Sequence, residues 1–349
     1  MTRHLALLLV LAACLPGCAQ KPQTPEDKVA KDPKEAVAAF QKAAERGDPQ
    51  AMSELGTCYL IGYGIEKNEK EAVRLYRKSA DLGCARAMMY LGTCYSEGTG
   101  VEKDPKEGLR LFRKAADLGD AEALASVGAC YVMGAGVERD LKQGLQYIRE
   151  AADRGATHGM DQLGVFYRDG VGVEKNEREA VKWFRKAADL GYGRSMVNLG
   201  FCYTEGIGVE KNPKEGVKWS RRAADLGNVI AMDNLGLDYL MGSGVDKNAK
   251  EAAVWFRKAA DLGNAKSMMN LGMCYATGTG LPIDAKEGVQ WFRKAADLGN
   301  SHAMYNLGVY YNTAPGAEKN EQEAIAWFRK AAALGDTEAK AALERREKK

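Results

Sequence analysis

Residues 51–83 read AMSELGTCYLIGYGIEKNEKEAVRLYRKSADLG, and residues 87–119 read AMMYLGTCYSEGTGVEKDPKEGLRLFRKAADLG. The second stretch begins 36 residues after the first, and the same frame runs on to the C-terminal region. Glycine recurs at 56, 92, 128, 164, 200, 236, 272 and 308, and a second glycine at 47, 83, 119, 155, 191, 227, 263, 299 and 335. Self-similarity at a fixed period of this size is the mark of a solenoid built from one stacked supersecondary unit.

Each unit reads as two helices. In the first, Ala51, Met52, Leu55, Gly56 and Tyr59 share one face at helical spacing. The pair Gly62 and Gly64 then breaks the helix, supplying positive φ where a side chain would clash. The second helix starts at Asn68 with Glu71 three residues on, a capping box. The cap position is Asp104, Asp140, Asn176, Asn212, Asn248, Asp284 and Asn320 in later repeats, with Gln143 replacing Glu in the third. Pro105 and Pro213 fill the first helical position, where a missing N–H costs nothing. Leu82-Gly83 ends the unit with a glycine stop. Asp32-Pro33-x-Glu35 with Phe40 predicts a lone second helix as an N-terminal cap, and residues from Asp336 to about Arg346 a lone first helix. There Leu343-Glu344 stands in place of the Leu-Gly pair, a charge suited to a polar end. The expected fold is all-α: an αα-solenoid, wound as a right-handed superhelix, of eight 36-residue helix-turn-helix repeats with half-repeat caps.

This pattern resembles the Sel1-like repeat family, an αα-repeat relative of the tetratricopeptide repeat. The residues that carry the resemblance are Ala51, Leu55-Gly56, Tyr59, Gly62-x-Gly64, Glu71-Ala72 and Lys78-Ser79-Ala80-x-x-Gly83, with their counterparts downstream. It covers residues 32–349, departing at Ala314 in the last repeat and at Leu281-Pro282-Ile283 in the seventh. The resemblance implies a scaffold that assembles other proteins rather than a catalyst.

Before the repeats, Arg3 precedes an unbroken apolar stretch from Leu5 to Leu15, too short to cross a bilayer. A basic head, a short apolar stretch and small residues describe an export signal. Residues 1–17 resemble a bacterial lipoprotein signal, with Leu15-Pro16-Gly17-Cys18 placing the acylated residue at Cys18; Leu11-Ala12-Ala13-Cys14 makes Cys14 the alternative. Ala19 rather than Asp after the cysteine leans toward the outer membrane in the family sorting rule. Residues 18–31, with Pro22 and Pro25, read as a tether, and residues 32–349 as the solenoid. Localisation is thus expected at the cell envelope, facing the periplasm, with the lipid anchor as the only membrane contact. Across all 349 residues the formal charge is +3, which excludes a strongly basic nucleic-acid binder.

The sequence offers no catalytic residues and implies no cofactor or metal. Of three histidines, His158 and His302 lie four repeats apart and read as surface residues, far short of the three or four converging ligands a metal needs. No Gly-Lys pair exists for a phosphate loop, and no Ser-x-x-Lys for a β-lactamase-like hydrolase. Cys58, Cys94, Cys130, Cys202 and Cys274 share one column whose spacing of about 8–10 Å exceeds disulfide reach, so they read as buried thiols. The methionines at 52, 88, 160, 196, 232, 268 and 304 read as core. Trp183, Trp219, Trp255, Trp291 and Trp327 form a column that packs between helices or, alternatively, stacks on the sugar rings of a polysaccharide or peptidoglycan. Arg77-Lys78 and equivalents read as a solvated face paired with Asp81 and its counterparts.

What remains is the face of the first helix opposite its packed side, the expected concave wall. Gln162, Asn198, Asn234, Asn270 and Asn306 form an amide column there, with Tyr90 further up. Val197, Phe201, Leu237, Met241, Met269, Met273 and Tyr305 flank it. An apolar groove with regular amides suits an extended protein or peptide segment, the amides holding backbone and the apolar sites holding side chains. Repeats 4–8 are the expected binding region.

Overall fold

The computed structural model describes residues 32–313 and 320–347. The signal and tether expected over residues 1–31, including Cys14 and Cys18, lie outside these, as does the altered loop at Ala314. Among the described residues all regular structure is helical. The described chain forms two compact units that divide after Leu190. Unit 1 holds α1 (Pro33–Glu45), α2 (Pro49–Ile61), α3 (Glu69–Asp81), α4 (Ala85–Glu97), α5 (Pro105–Asp117), α6 (Ala121–Met133), α7 (Leu141–Asp153), α8 (Thr157–Asp169) and α9 (Glu177–Asp189). Unit 2 holds α10 (Gly193–Glu205), α11 (Pro213–Asp225), α12 (Val229–Met241), α13 (Ala249–Asp261), α14 (Ala265–Thr277), α15 (Ala285–Asp297), α16 (Ser301–Thr313), α17 (Glu321–Ala333) and α18 (Thr337–Glu347). Even-numbered helices up to α16 are the A helices of repeats 1–8 and the odd ones from α3 their B partners. Each unit is an αα-solenoid of stacked repeats as the sequence predicts: the lone helix α1 precedes repeats 1–4 in unit 1, and the lone helix α18 follows repeats 5–8 in unit 2.

Within a repeat, A and B pack most closely where one has no side chain. A Cβ at Gly56 would lie 2.8 Å from the Tyr76 ring, and one at Gly236 2.4 Å from that of Phe256. Tyr76, Phe112, Ile148, Phe184 and Phe256 are among the largest fully buried side chains, each contributing about 1.5–3 kcal/mol by burial. Gly64 joins one repeat to the last: its φ is +69° and a Cβ there would lie 2.3 Å from the Pro33 carbonyl. Two constraints, left-handed backbone and touching chains, thus select glycine at this site.

The capping box forms only by half. Asn68 accepts from the Glu71 N–H at 3.1 Å, as expected. Its own N–H, however, donates to the Tyr59 carbonyl at 2.8 Å, and the same bond runs from Asp104 to Tyr95, Asp140 to Tyr131 and Asn248 to Tyr239. Glu71 is released from reaching back and pairs with Arg74 instead, which holds its carboxyl below the usual range. The repeat tyrosine therefore closes the A–B loop through its backbone.

Its hydroxyl has a second task. Arg77 donates to the Tyr95 hydroxyl at 2.9 Å, Arg113 to Tyr131 at 2.6 Å, Arg149 to Tyr167 at 3.2 Å and Arg221 to Tyr239 at 2.5 Å. Arg257–Tyr275 and Arg293–Tyr311 repeat the contact. The expected salt-bridged face is thus corrected. Arginine in this column spans eighteen residues to latch one repeat's B helix to the next repeat's A helix, rather than pairing with the aspartate four residues on.

Candidate functional site: the A-helix wall

In unit 1 two register positions along the middle of the wall are closed, while Ile61 and Glu97 further along it stay exposed. Ser53, Met89, Ala125 and Asp161 are buried at one register position, and Thr57, Thr93, Ala129 and Val165 at the next. Most of these side chains are small, and successive A helices α2, α4, α6 and α8 touch one another directly. Polar groups here are turned inward. Glu122 accepts from the Thr157 N–H at 2.8 Å, the Thr157 hydroxyl at 3.0 Å and the His158 N–H at 3.2 Å. Gln162, expected in the groove, is only 2% exposed, and its Nε2 lies 2.9 Å from His158 Nε2. Its amide is spent inside the protein. His158 is likewise buried at 1% exposure, correcting its expected place on the surface, because the closing wall covers it. Tyr90 is half-buried, its ring 5.4 Å from that of Tyr76.

In unit 2 the same two positions carry Val197, Met269 and Tyr305, and Phe201, Leu237 and Met273, larger apolar groups that are half-buried or exposed, whereas Asp233 stays buried. Phe201 is 50% exposed and Met273 is exposed as well; Met241, one turn beyond Leu237, is 75% exposed, and its unit 1 counterpart Ile61 is exposed too. Val197 and Asn198 on α10, Asn234 and Leu237 on α12, Met269 and Asn270 on α14, and Tyr305 and Asn306 on α16 are half-buried. Leu237, Met269 and Tyr305 also rest against the core cluster around Phe256 and Phe292. The amides differ in availability. Asn270 donates to Asp233 at 2.9 Å, sharing that buried carboxylate with the Ser267 hydroxyl at 2.8 Å and the Lys266 ammonium at 3.0 Å. The side chains of Asn234 and Asn306 make no hydrogen bond within the described residues. Of the groove residues expected from the sequence, Gln162 in repeat 4 is buried, and those named above in repeats 5–8 are half-buried or exposed.

Asp238, which the motif search did not single out, belongs to this wall. Asn234, Leu237, Asp238 and Met241 follow i, i+3, i+4, i+7 spacing and share one stripe of α12. Asp238 occupies the register position that holds Cys58, Cys94, Cys130, Cys202 and Cys274 elsewhere. Its carboxylate has neither hydrogen bond nor ion pair among the described residues, and burial pushes its pKa up to about 6. The readable signal was an acid in a column of thiols.

The thiols themselves are sequestered. Cys58, Cys94, Cys130, Cys202 and Cys274 are buried thiols, with Cys84 half-buried, and none of the six is in a disulfide. Burial, aided by the Glu54 charge, pushes Cys58 up to about 11, and burial pushes Cys130 up to about 12. No cluster of three or more His, Cys, Asp or Glu suited to a metal occurs among the described residues.

The tryptophan column is not a sugar platform. Trp219, Trp255 and Trp291 are only 4–5% exposed, because each indole is packed between helices and covered by a cation. Arg222 lies 4.4 Å above Trp219, Lys258 4.0 Å above Trp255 and Lys294 3.9 Å above Trp291. The half-buried Trp183 and Trp327 are covered by Lys186 and Lys330 in the same way. Buried between helices with a cation over one face, Trp219, Trp255 and Trp291 present no ring to a saccharide, and the column offers no continuous stacking surface.

Comparison with known proteins agrees with the architecture. Nine segments match the Sel1 repeat: residues 24–48, 49–84, 85–120, 121–155, 157–192, 193–228, 229–264, 265–300 and 301–336. No curated protein matches the sequence. The chain is similar to the crystal structure of c5321, a protective antigen present in uropathogenic Escherichia coli strains displaying an SLR fold. Identity is 32% and the TM-score 0.58, over 88% of this chain and 66% of that one, so this chain spans just under two thirds of the antigen's length. It is similar as well to a Sel1 repeat protein from Oxalobacter formigenes, at 29% identity and a TM-score of 0.60, over 94% of this chain and 98% of that one.

Proposed function

The chain belongs to the Sel1 repeat family, and from that premise we propose that it is a non-enzymatic adaptor of the bacterial cell envelope. It holds an extended segment of a protein partner along the A-helix wall of repeats 5–8. Proteins of this family are in general protein-interaction scaffolds rather than catalysts. The observation that supports the reading is the contrast between two stretches of one array. Where Ser53, Thr57, Ala125 and Ala129 occupy the wall it buries itself, and where Phe201 and Met273 stand at the equivalent of Thr57 apolar surface faces water, continued by the exposed Met241. Exposed apolar surface of this kind marks interaction sites. Methionine lines it heavily, and its unbranched thioether adapts to varied side chains.

The envelope address rests on the sequence of residues 1–18, with Cys18 acylated (Cys14 the alternative) and the outer membrane favoured. Two or three acyl chains suffice as a stable anchor. Among the described residues no helix is long and apolar enough to cross a membrane. Metabolic labelling with a radioactive fatty acid tests the anchor: Cys18→Ser should lose the label, and Cys14→Ser should keep it.

Binding is tested by crosslinking capture from envelope extracts with the full-length chain. A variant combining Asn234→Ala, Asn306→Ala and Met241→Glu should lose the captured partner. Leu82→Glu, an exposed position in unit 1, should retain it. Equal capture by both variants contradicts the wall as the binding surface. Turnover of a β-lactam by the purified chain would overturn the non-enzymatic reading.

A further inference from the structure

Resting on the wall as the partner-binding surface, we propose that the segment it takes carries a lysine or arginine, and that Asp238 is the residue that receives it. The argument begins with what Asp238 lacks. Buried carboxylates are ordinarily satisfied by cations or N–H donors. Asp233, five residues before it on the same helix, shows this, being held by Lys266, Ser267 and Asn270. Asp238 has no such partner among the described residues, although it is half-buried. At the equivalent position five other repeats place a buried thiol. The single charge in this column lies on the stripe with Asn234, Leu237 and Met241, the turn of α12 that is open to a partner.

The neighbours define the cation. A metal ion needs several converging donors, and none converge here. A lysine or arginine side chain matches on both counts. Its apolar stem lies along Leu237 and Met241 while its charged head reaches the carboxylate. Apolar shoulders exclude water, so the pair is stronger than one on an exposed rim. Burial that raises the proton affinity of the free carboxylate also favours any cation that replaces the proton. An extended chain rising about 3.3 Å per residue crosses four repeats, each roughly 10 Å wide, in about twelve residues.

The probe is a phage-displayed library of random dodecapeptides, panned on the full-length chain. Clones that lose binding to Met241→Gln, a polar variant that adds no charge beside Asp238, are taken as wall-dependent. These should be enriched in apolar residues with one lysine or arginine. Their affinity should fall at least tenfold against Asp238→Asn, a variant that relieves rather than adds strain. Replacing the peptide's basic residue by glutamine should cost the same on the native chain and nothing further on Asp238→Asn. Wall-dependent clones without a basic residue, or with equal affinity for Asp238→Asn, overturn the role of Asp238 and leave the wall standing. If no clone depends on Met241, the wall itself is wrong and this inference falls with it.

Discussion

Cys58, Cys94, Cys130, Cys202 and Cys274 hold a thiol where repeat 6 holds a carboxylate, and burial acts on the two groups with different consequences. A thiol pushed up to about 11 or 12 simply stays neutral and unreactive. Titration of the native repeats with a thiol reagent at pH 8 should therefore show one fast cysteine, Cys84, and the five others only after denaturation. Several fast thiols would contradict the packing. Asp238 is different, because its pKa of about 6 lies above the unfolded value of about 3.9. The folded state keeps its proton longer, so no penalty exists below about pH 4 and it accumulates as pH rises through 6. Asp238→Asn should accordingly raise stability above pH 7, by about 1 kcal/mol once screening by water at this half-buried site is allowed for, and leave it nearly unchanged near pH 4. Urea melts at the two pH values check this. Glycine offers a matched pair: Gly236→Ala forces a methyl 2.4 Å from Phe256, whereas Gly227→Ala meets nothing within 4 Å. The first should destabilise by about 3 kcal/mol or more through overpacking, the second by about 1–2 kcal/mol through its positive φ alone.

At the scale of the element, helix starts, stops and spacing were all legible. Each follows from local chemistry: an Asn or Asp cap, a glycine stop, a 36-residue period. The other half of the capping box was not legible, because the Asn68 N–H goes to the Tyr59 carbonyl, and the fold of the loop decides that contact. The arginine column was misread for a similar reason. An aspartate four residues away is visible in sequence, whereas a tyrosine hydroxyl eighteen residues away comes within reach only when repeats stack. This latch predicts that Tyr239→Phe, which keeps the ring and removes the acceptor, costs about 1–2 kcal/mol. Amide exchange should quicken in α11 and α12 while α15 and α16 keep their protection. Unchanged exchange in α11 and α12 would show that the Arg221–Tyr239 bond contributes nothing to stacking.

For the molecule as a whole, the candidate wall was legible as a register but not as a surface. Helical spacing identifies which residues lie opposite the packed side, and Asn234, Met241 and Met273 stand on the open part of that face. Whether the face is open depends on the combined volume of residues from neighbouring repeats. Small Ser53, Ala125 and Ala129 go with buried positions in unit 1, where Gln162 and His158 are buried as well, while Phe201 and Met273 go with exposed ones in unit 2. No single repeat contains that information. The central claim is that the partner lies along repeats 5–8, and site-specific photocrosslinking in living cells tests it most directly. A photoreactive phenylalanine analogue is placed at Met241, at Met273 or, as a control, at Leu118, an exposed residue of unit 1. The account predicts one and the same crosslinked protein from Met241 and Met273 and none from Leu118. A partner crosslinked from Leu118 and from neither methionine would contradict it.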